Sequence, residues 1–229
     1  MGIKERQERD RESVHRAILD AARDLFVAEG FQNVSIRKIA ERIEYSPAAI
    51  YGYFPSKDDI FFALAEEGFR LLGDPESARR RTELSGLSPL ERVRSMFWKV
   101  YEFSREQPQY FELMFLDRSV PRISREYERF AFAREMKKHI VDEIRLCIAD
   151  GYLPPTLDPM VATRVLMVGL LGIAGLRLSE RLAPGENADH LAADVLDVTI
   201  AGLRSGVALQ SRPISECPLD APAIDAQAS

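Results

Sequence analysis

Cysteine is nearly absent from this chain: among 229 residues only Cys147 and Cys217 occur, with no paired spacing. That excludes a disulfide framework and a cysteine-based zinc site, and a reducing cytoplasm fits such usage best. The three histidines, His15, His139 and His190, lie far apart. No glycine-rich phosphate loop, no serine-centred elbow and no metal-spaced His/Cys set is present. An enzyme therefore has no candidate catalytic residue here, and no cofactor is expected. Acidic pairs such as Glu66-Glu67 read as solvated helix faces. Runs of alternating β-branched residues are also lacking. The longest uncharged apolar run, Val165 to Leu176, is too short to span a bilayer and reads as a buried helix. Residues 4–12 alternate Lys, Arg, Glu and Asp, unlike a signal peptide. Positive charge is not in excess either, since the net charge is −5. That argues against wholesale nucleic-acid binding, but not against a small basic face on an acidic body.

What remains is helical periodicity, and the fold class it predicts is all-α. Val14, Ala17, Ile18, Ala21, Ala22, Leu25 and Phe26 recur at three- and four-residue steps, giving a first helix over 12–29 that stops at Gly30. Ser35 caps a short helix with Ile36, Ile39, Ala40 and Ile43 inward. Residues 44–46 turn the chain. A third helix covers 47–54, and Ser56 opens a fourth carrying Ile60, Phe61, Leu64, Phe69 and Leu72. Gly73, Pro75, Gly86 and the run Arg79-Arg80-Arg81 mark a junction. Further helices follow over 89–106, a short aromatic stretch after Pro108, and then 123–149, 158–181 and 187–205. These divide into a flexible charged arm (1–11), a helix-turn-helix domain with its connecting fourth helix (12–72), a larger helical domain (73–206) and a disordered tail (207–229).

Two short helices around a tight turn, behind a longer supporting helix, make the layout of a helix-turn-helix. At 100° per residue, Ile50 and Phe54 point inward and Gly52 points away, with Ala48 and Ala49 beside it. Tyr51 and Tyr53 fall on opposite flanks, each roughly 80° from the inward direction. A small outward face lets the helix backbone approach a groove floor, and flanking phenols can donate to phosphates. Lys57 offers a charge, and Arg37 and Lys38 can reach the backbone or a base edge. The plainer reading, that both tyrosines are amphipathic core residues, stands beside this one. A solvated face would normally carry Lys, Glu or Arg, which favours the first.

The stretch from Gly30-Phe31 through "SIRKIAERIEYSPAAIYGYFPSKDDIFFAL" resembles the amino-terminal domain of the TetR/AcrR family of bacterial transcriptional regulators. The Ser-x-Arg-x-Ile-Ala opening, the serine before the third helix, the Ile-Tyr-x-Tyr-Phe core and the Ser-Lys that starts helix four carry the likeness. It implies DNA-contact roles for Ser35, Ile36, Arg37, Pro47, Ala48, Ala49, Tyr51, Tyr53 and Lys57. It also implies a homodimer on a palindromic operator, nucleoid-associated in the cytoplasm, and a small-molecule effector. The sequence departs from the family pattern in the turn, where Ile43, Glu44 and Tyr45 replace a small residue, Gly and Val. Glu44 suits a left-handed backbone less well than glycine. With 10 Lys/Arg against 11 Asp/Glu in the first 60 residues, affinity rests on a few placed cations, including Lys4, Arg6, Arg9 and Arg11 of the arm.

The remainder of the chain is rich in bulky side chains between 96 and 136. These are either plain core or the lining of an apolar cavity. Trp98, Tyr101, Phe115, Phe130, Arg134 and Met167 are the candidate pocket residues, with Arg134 a partner for an anionic ligand or a surface ion pair. The run "RVLMVGLLGIAGL" is apolar around nearly its whole circumference and needs cover on every side. With the next helix it suggests a dimer interface through Leu170, Ile173, Leu191, Val195 and Thr199; a buried helix in a monomer is the alternative. Three functional classes thus stand: a ligand-responsive dimeric DNA-binding regulator, most readily a repressor; a helical ligand-binding module that binds no DNA; and an enzyme, for which no residue speaks.

Overall fold

The computed structural model describes residues 2–73, 84–121 and 131–211, and every regular element among them is a helix. These are α1 (Ile3–Glu29), a 3₁₀ turn (Phe31–Asn33), α2 (Ile36–Arg42), α3 (Pro47–Tyr51), α4 (Lys57–Leu72) and α5 (Pro89–Glu106). Then come α6 (Pro108–Phe111), a π-helical turn (Glu112–Leu116), α7 (Ala131–Ala149), α8 (Pro159–Leu178) and α9 (Ala188–Arg204). The chain forms two compact units, one of Met1–Asp74 with Glu102–Ala133, the other of Pro75–Tyr101 with Arg134–Ser229.

In the first unit, α1 buries Ile18, Leu19, Ala22 and Phe26. Gly30, at φ 80°, ends the helix by donating its N–H to the Phe26 carbonyl. Ser35 accepts from the Lys38 N–H, capping α2, and Ile36, Ile39 and Ala40 turn inward. The Tyr45 N–H closes onto the Ala40 carbonyl at 2.9 Å, while Glu44 sits at φ 60° in the left-handed region. The turn thus takes a left-handed residue without using glycine. Ser46 caps α3, and Ser56 caps α4 by accepting from the Asp59 N–H at 3.1 Å while its hydroxyl donates to the Asp59 carboxylate. The helix ends at Tyr51, short of the 54 that the sequence predicts, and beyond it the chain keeps turning, as Tyr53 and Phe54 both donate to the Ile50 carbonyl.

Two features of this unit differ from expectation. Residues 3–11, expected as a flexible arm, form the first turns of α1. They are made of good helix formers and need no apolar face to be helical. The second difference is that Glu102–Ala133 belongs with the amino-terminal helices rather than with the larger helical domain. Its side chains explain why. Gly68 leaves a gap that Met114 fills, so closely that a Cβ at position 68 would collide with Sδ. Phe115 meets Phe69 edge-on, and Tyr110 and Phe111 are buried. Each such aromatic contributes about 1.5–3 kcal/mol by leaving water.

The second unit has its own core of Phe97, Tyr101, Ile144, Leu166, Leu170, Ile173, Leu196 and Ile200. Asp158 caps α8 and Asn187 caps α9, each accepting two backbone N–H bonds. Gly169 brings α8 against α9, since a Cβ there would lie 2.8 Å from Val195 Cγ1. At 20 residues α8 is slightly shorter than the predicted 158–181 but extends past the uncharged run inside it, and by length and composition it would suffice to cross a membrane. Val161, Ala162, Leu166, Leu170, Ile173 and Ala174 are buried against the unit's core, so it packs as a core helix on one side. The tail expected from 207 lies, beyond residue 211, outside the described residues.

Candidate nucleic-acid interface

Helix α3 projects as its sequence requires. Ile50 is fully buried and Phe54 nearly so, while Pro47, Ala48 and Gly52 are exposed and Ala49 is half-buried. Tyr51 is 56% exposed, so its phenol is free to donate outward. Tyr53 is half-buried, with the Arg11 guanidinium 5.9 Å from its ring centroid. That places a cation of the supposed arm against the flank of the recognition helix. Tyr45 adds a third phenol, 45% exposed, just before the Ser46 cap.

Arg37 extends from the first turn of α2 and is 80% exposed, paired with Glu41 at 2.8 Å. A surface pair of this kind holds its partners weakly, so the guanidinium can exchange Glu41 for a phosphate or a guanine edge. Ser35 is exposed, but its oxygen is engaged as a cap. Ile36 is buried, which corrects the contact role that the resemblance implied for it: the side chain packs into the domain and can meet DNA only through its backbone. Lys38, by contrast, is held by Glu29.

Lys57 differs from its expected role as an open phosphate-binding charge. Its ammonium donates to the carbonyls of Phe31 at 2.7 Å and Val34 at 2.9 Å, and it lies 4.1 Å from the centre of the Phe31 ring. Burial pushes its pKa below the ordinary lysine range, with Asp58 opposing that shift. Lys57 is thus a clasp between α4 and the turn that precedes α2, keeping one N–H for a phosphate. Sequence reasoning missed this because carbonyl acceptors leave no residue-type signature.

The candidate pocket residues are divided between the two units. Tyr101 is fully buried in the second unit, donates to the Asp189 carboxylate at 2.8 Å, and lies 5.2 Å from the Trp98 ring. Met167 packs against the same core. Phe115 belongs to the first unit, between Phe69 and Phe111. Arg134 is half-buried on α7 and already has a partner, while Phe130 lies outside the described residues. The interface candidates divide as well. Leu170 and Ile173 are buried inside their own unit, which removes them from any direct contact with a second copy. Val195 and Thr199 lean on Gly169, and Leu191 packs on the core. The side chains actually left in solvent are Val168 at 58%, Leu176 at 39% and Val198 at 71%, with Gly172 open beside them. The α-helical period that marked both helices as apolar could not tell which stripe faced the protomer's own core.

Known proteins match this chain over both parts. Residues 18–64 match the family described as "Bacterial regulatory proteins, tetR family", and residues 93–199 match "Tetracyclin repressor-like, C-terminal domain". An uncharacterized HTH-type transcriptional regulator of Haemophilus influenzae is 30% identical over 136 residues, 58% of this chain and 62% of that protein. The HTH-type transcriptional repressor Rv1474c of Mycobacterium tuberculosis is 42% identical over 52 residues, 23% of this chain and 28% of the repressor. The chain thus spans less than two thirds of the length of these curated relatives. Among solved structures, the fatty acid degradation regulator FadR from Bacillus halodurans has the same fold, with a TM-score of 0.65 at 16% identity over 83% of this chain and 96% of that one. Members of the matched family are DNA-binding transcriptional regulators and not enzymes. The helix-turn-helix geometry and both family matches lead to one conclusion: the chain belongs to the TetR family of bacterial regulatory proteins.

Proposed function

We propose that this protein is a ligand-responsive, DNA-binding transcriptional regulator of the cytoplasm: a homodimeric repressor released from a palindromic operator by a small apolar or amphipathic molecule. The observation that carries the reading is the face of α3, where Ala48 and Gly52 leave a low, uncharged surface beside an exposed Tyr51. A solvated helix of no function would not be built this way. In this reading Ser35, Arg37, Pro47, Ala48, Ala49, Tyr51, Tyr53 and Lys57 form the contact surface. Tyr51 and the cations fix register on phosphates, and Arg37 and thymine-methyl contacts to the alanines supply base preference. Two such faces meet successive major grooves when two copies pair.

The partner surface for that pairing is the exposed stripe of Val168, Leu176 and Val198. Isolated apolar side chains in water are ordinary, but two valines and a leucine, with an open glycine, on two adjacent helices form a patch suited to a second copy. The effector is proposed to enter the second unit near Trp98, Tyr101 and Met167. The name of the Bacillus halodurans structure, a fatty acid degradation regulator, suggests the first molecules to screen: acyl chains with a polar end. Operator selection from a random DNA pool, followed by binding at several salt concentrations, tests the reading. A sequence preference with a steep salt slope supports it. Absence of any selected sequence favours a helical ligand-binding module that leaves DNA alone.

A further inference from the structure

The turn between α1 and α2 is gripped from two sides. Its carbonyls, those of Phe31 and Val34, accept from Lys57 on α4. Its leading N–H, that of Phe31, donates to Ser119 Oγ at 3.1 Å. The Gln32 side-chain amide donates to the Ser119 carbonyl at 2.7 Å. Ser119 is itself fixed, because its N–H donates to Asp117 at 2.7 Å, and the Asp117 N–H closes the π-helical turn onto the Glu112 carbonyl at 2.8 Å. Upstream, the same stretch of the first unit is pinned to α1: Tyr110 lies under Arg23, which also donates to Gln109 at 3.1 Å, and Met114 fills the gap at Gly68.

We propose that Ser119 is a positioning residue for DNA binding, holding the turn that leads into the helix-turn-helix in the conformation that α2 and α3 need. The inference rests on the DNA-binding reading above. The geometry supplies the route. The Phe31 N–H opens the 3₁₀ turn, and the first donors of a helical turn have no acceptor within it, so it depends on what the surroundings offer. Val34 and the Ser35 cap follow within the same few residues, so a shift of this turn moves the start of α2. Through the Phe31 and Val34 carbonyls it also moves Lys57. A rearrangement of residues 112–121 therefore alters the helix-turn-helix without any residue of that stretch touching DNA.

The test uses the full chain and a DNA sequence selected by the unmodified protein. Ser119→Ala removes the acceptor, and Ser119→Thr keeps it. The Ala variant is expected to lose roughly three- to tenfold in affinity per active molecule, as the loss of the single hydrogen bond to Oγ would give, the Gln32 bond to the Ser119 carbonyl being kept. The Phe31 amide should exchange with solvent faster, while the melting temperature stays within about 2 °C. The Thr variant should keep both affinity and protection. An Ala variant whose affinity per active molecule equals or exceeds that of the unmodified chain overturns the proposal, as does one whose loss is wholly a smaller active fraction. If the unmodified chain selects no DNA sequence, the underlying reading falls, and this inference with it. If it binds and Ser119→Ala is silent, only the inference falls.

Discussion

Two exposed faces of this protein lack the charges that usually cover helices, and they lack them in different ways. On α3 the outward positions are small, and the polar groups stand at the flanks: Tyr51, Tyr53 under Arg11, and Tyr45 at the approach. On α8 the outward stripe of Val168, Gly172 and Leu176 is aliphatic, and on α9 Val198 stands exposed beside Asp194 and Asp197. The first surface offers little to bury but lets a wide, charged object come close. The second offers area to bury and few hydrogen bonds. A bare face of alanine and glycine with a phenolic rim thus suits a nucleic-acid groove, while a bare face of valine and leucine suits a second protein chain.

The comparison breaks most visibly if a charge is placed on the aliphatic face. Val198→Asp is expected to halve the particle mass measured by light scattering, with operator affinity falling on the order of a hundredfold as two half-sites stop acting together. Its melting profile at high concentration would also lose its dependence on protein concentration. A charge on the small face should do the reverse. Ala48→Glu is expected to weaken DNA binding roughly thirtyfold by like-charge repulsion at the phosphates, leaving mass and melting temperature unchanged because position 48 is exposed. A smaller effect follows from the flanks. Tyr51→Phe should lower affinity roughly three- to tenfold through one lost phosphate bond. Arg37→Ala should reduce the salt slope by about one if the guanidinium meets a phosphate, and relax one base position if it meets guanine.

The smallest effects concern pH and separate the two units behind these faces. In the first, the Asp20 carboxyl is held below the usual carboxylate range, chiefly by hydrogen bonding from Arg16. A depressed carboxylate stabilises the fold above its unfolded value, and that contribution is lost as pH falls through the folded one. In the second, burial and then Glu143 push the Cys147 thiol up to about 11. Its contribution is present below the ordinary thiol value and declines as pH rises toward that figure. Amide exchange at the two sites should loosen at opposite ends of the pH scale. In a Cys217→Ser chain, thiol labelling at neutral pH should be slow until the protein unfolds.

Several helix starts were readable because they use a local signal. Ser35 and Ser56 cap as their positions announce, Ser46 stands at the start of α3, and the inward pair Ile50 and Phe54 follows from period alone. Three features were not readable. The stretch after Glu102 looks like any aromatic helix, and only Gly68 opposite Met114 shows where it docks. Lys57 reads as a surface charge until the carbonyls around it are seen. On α8 nearly every residue is apolar, so the pattern carries no direction, and Leu170 and Ile173 were placed on the wrong side. In each case the missing information is long-range: which partner fills a gap, accepts a proton or covers a stripe.

Position 44 carries a consequence for anyone wishing to re-engineer the molecule. A glutamate at φ 60° sits about 1 kcal/mol or more above what glycine would need there. The turn therefore holds a reserve of stability that a single substitution can release. That reserve makes Glu44→Gly the natural background in which to introduce harsher changes to the DNA-facing helix, since a chain made sturdier at the turn can tolerate losses elsewhere that the native one cannot.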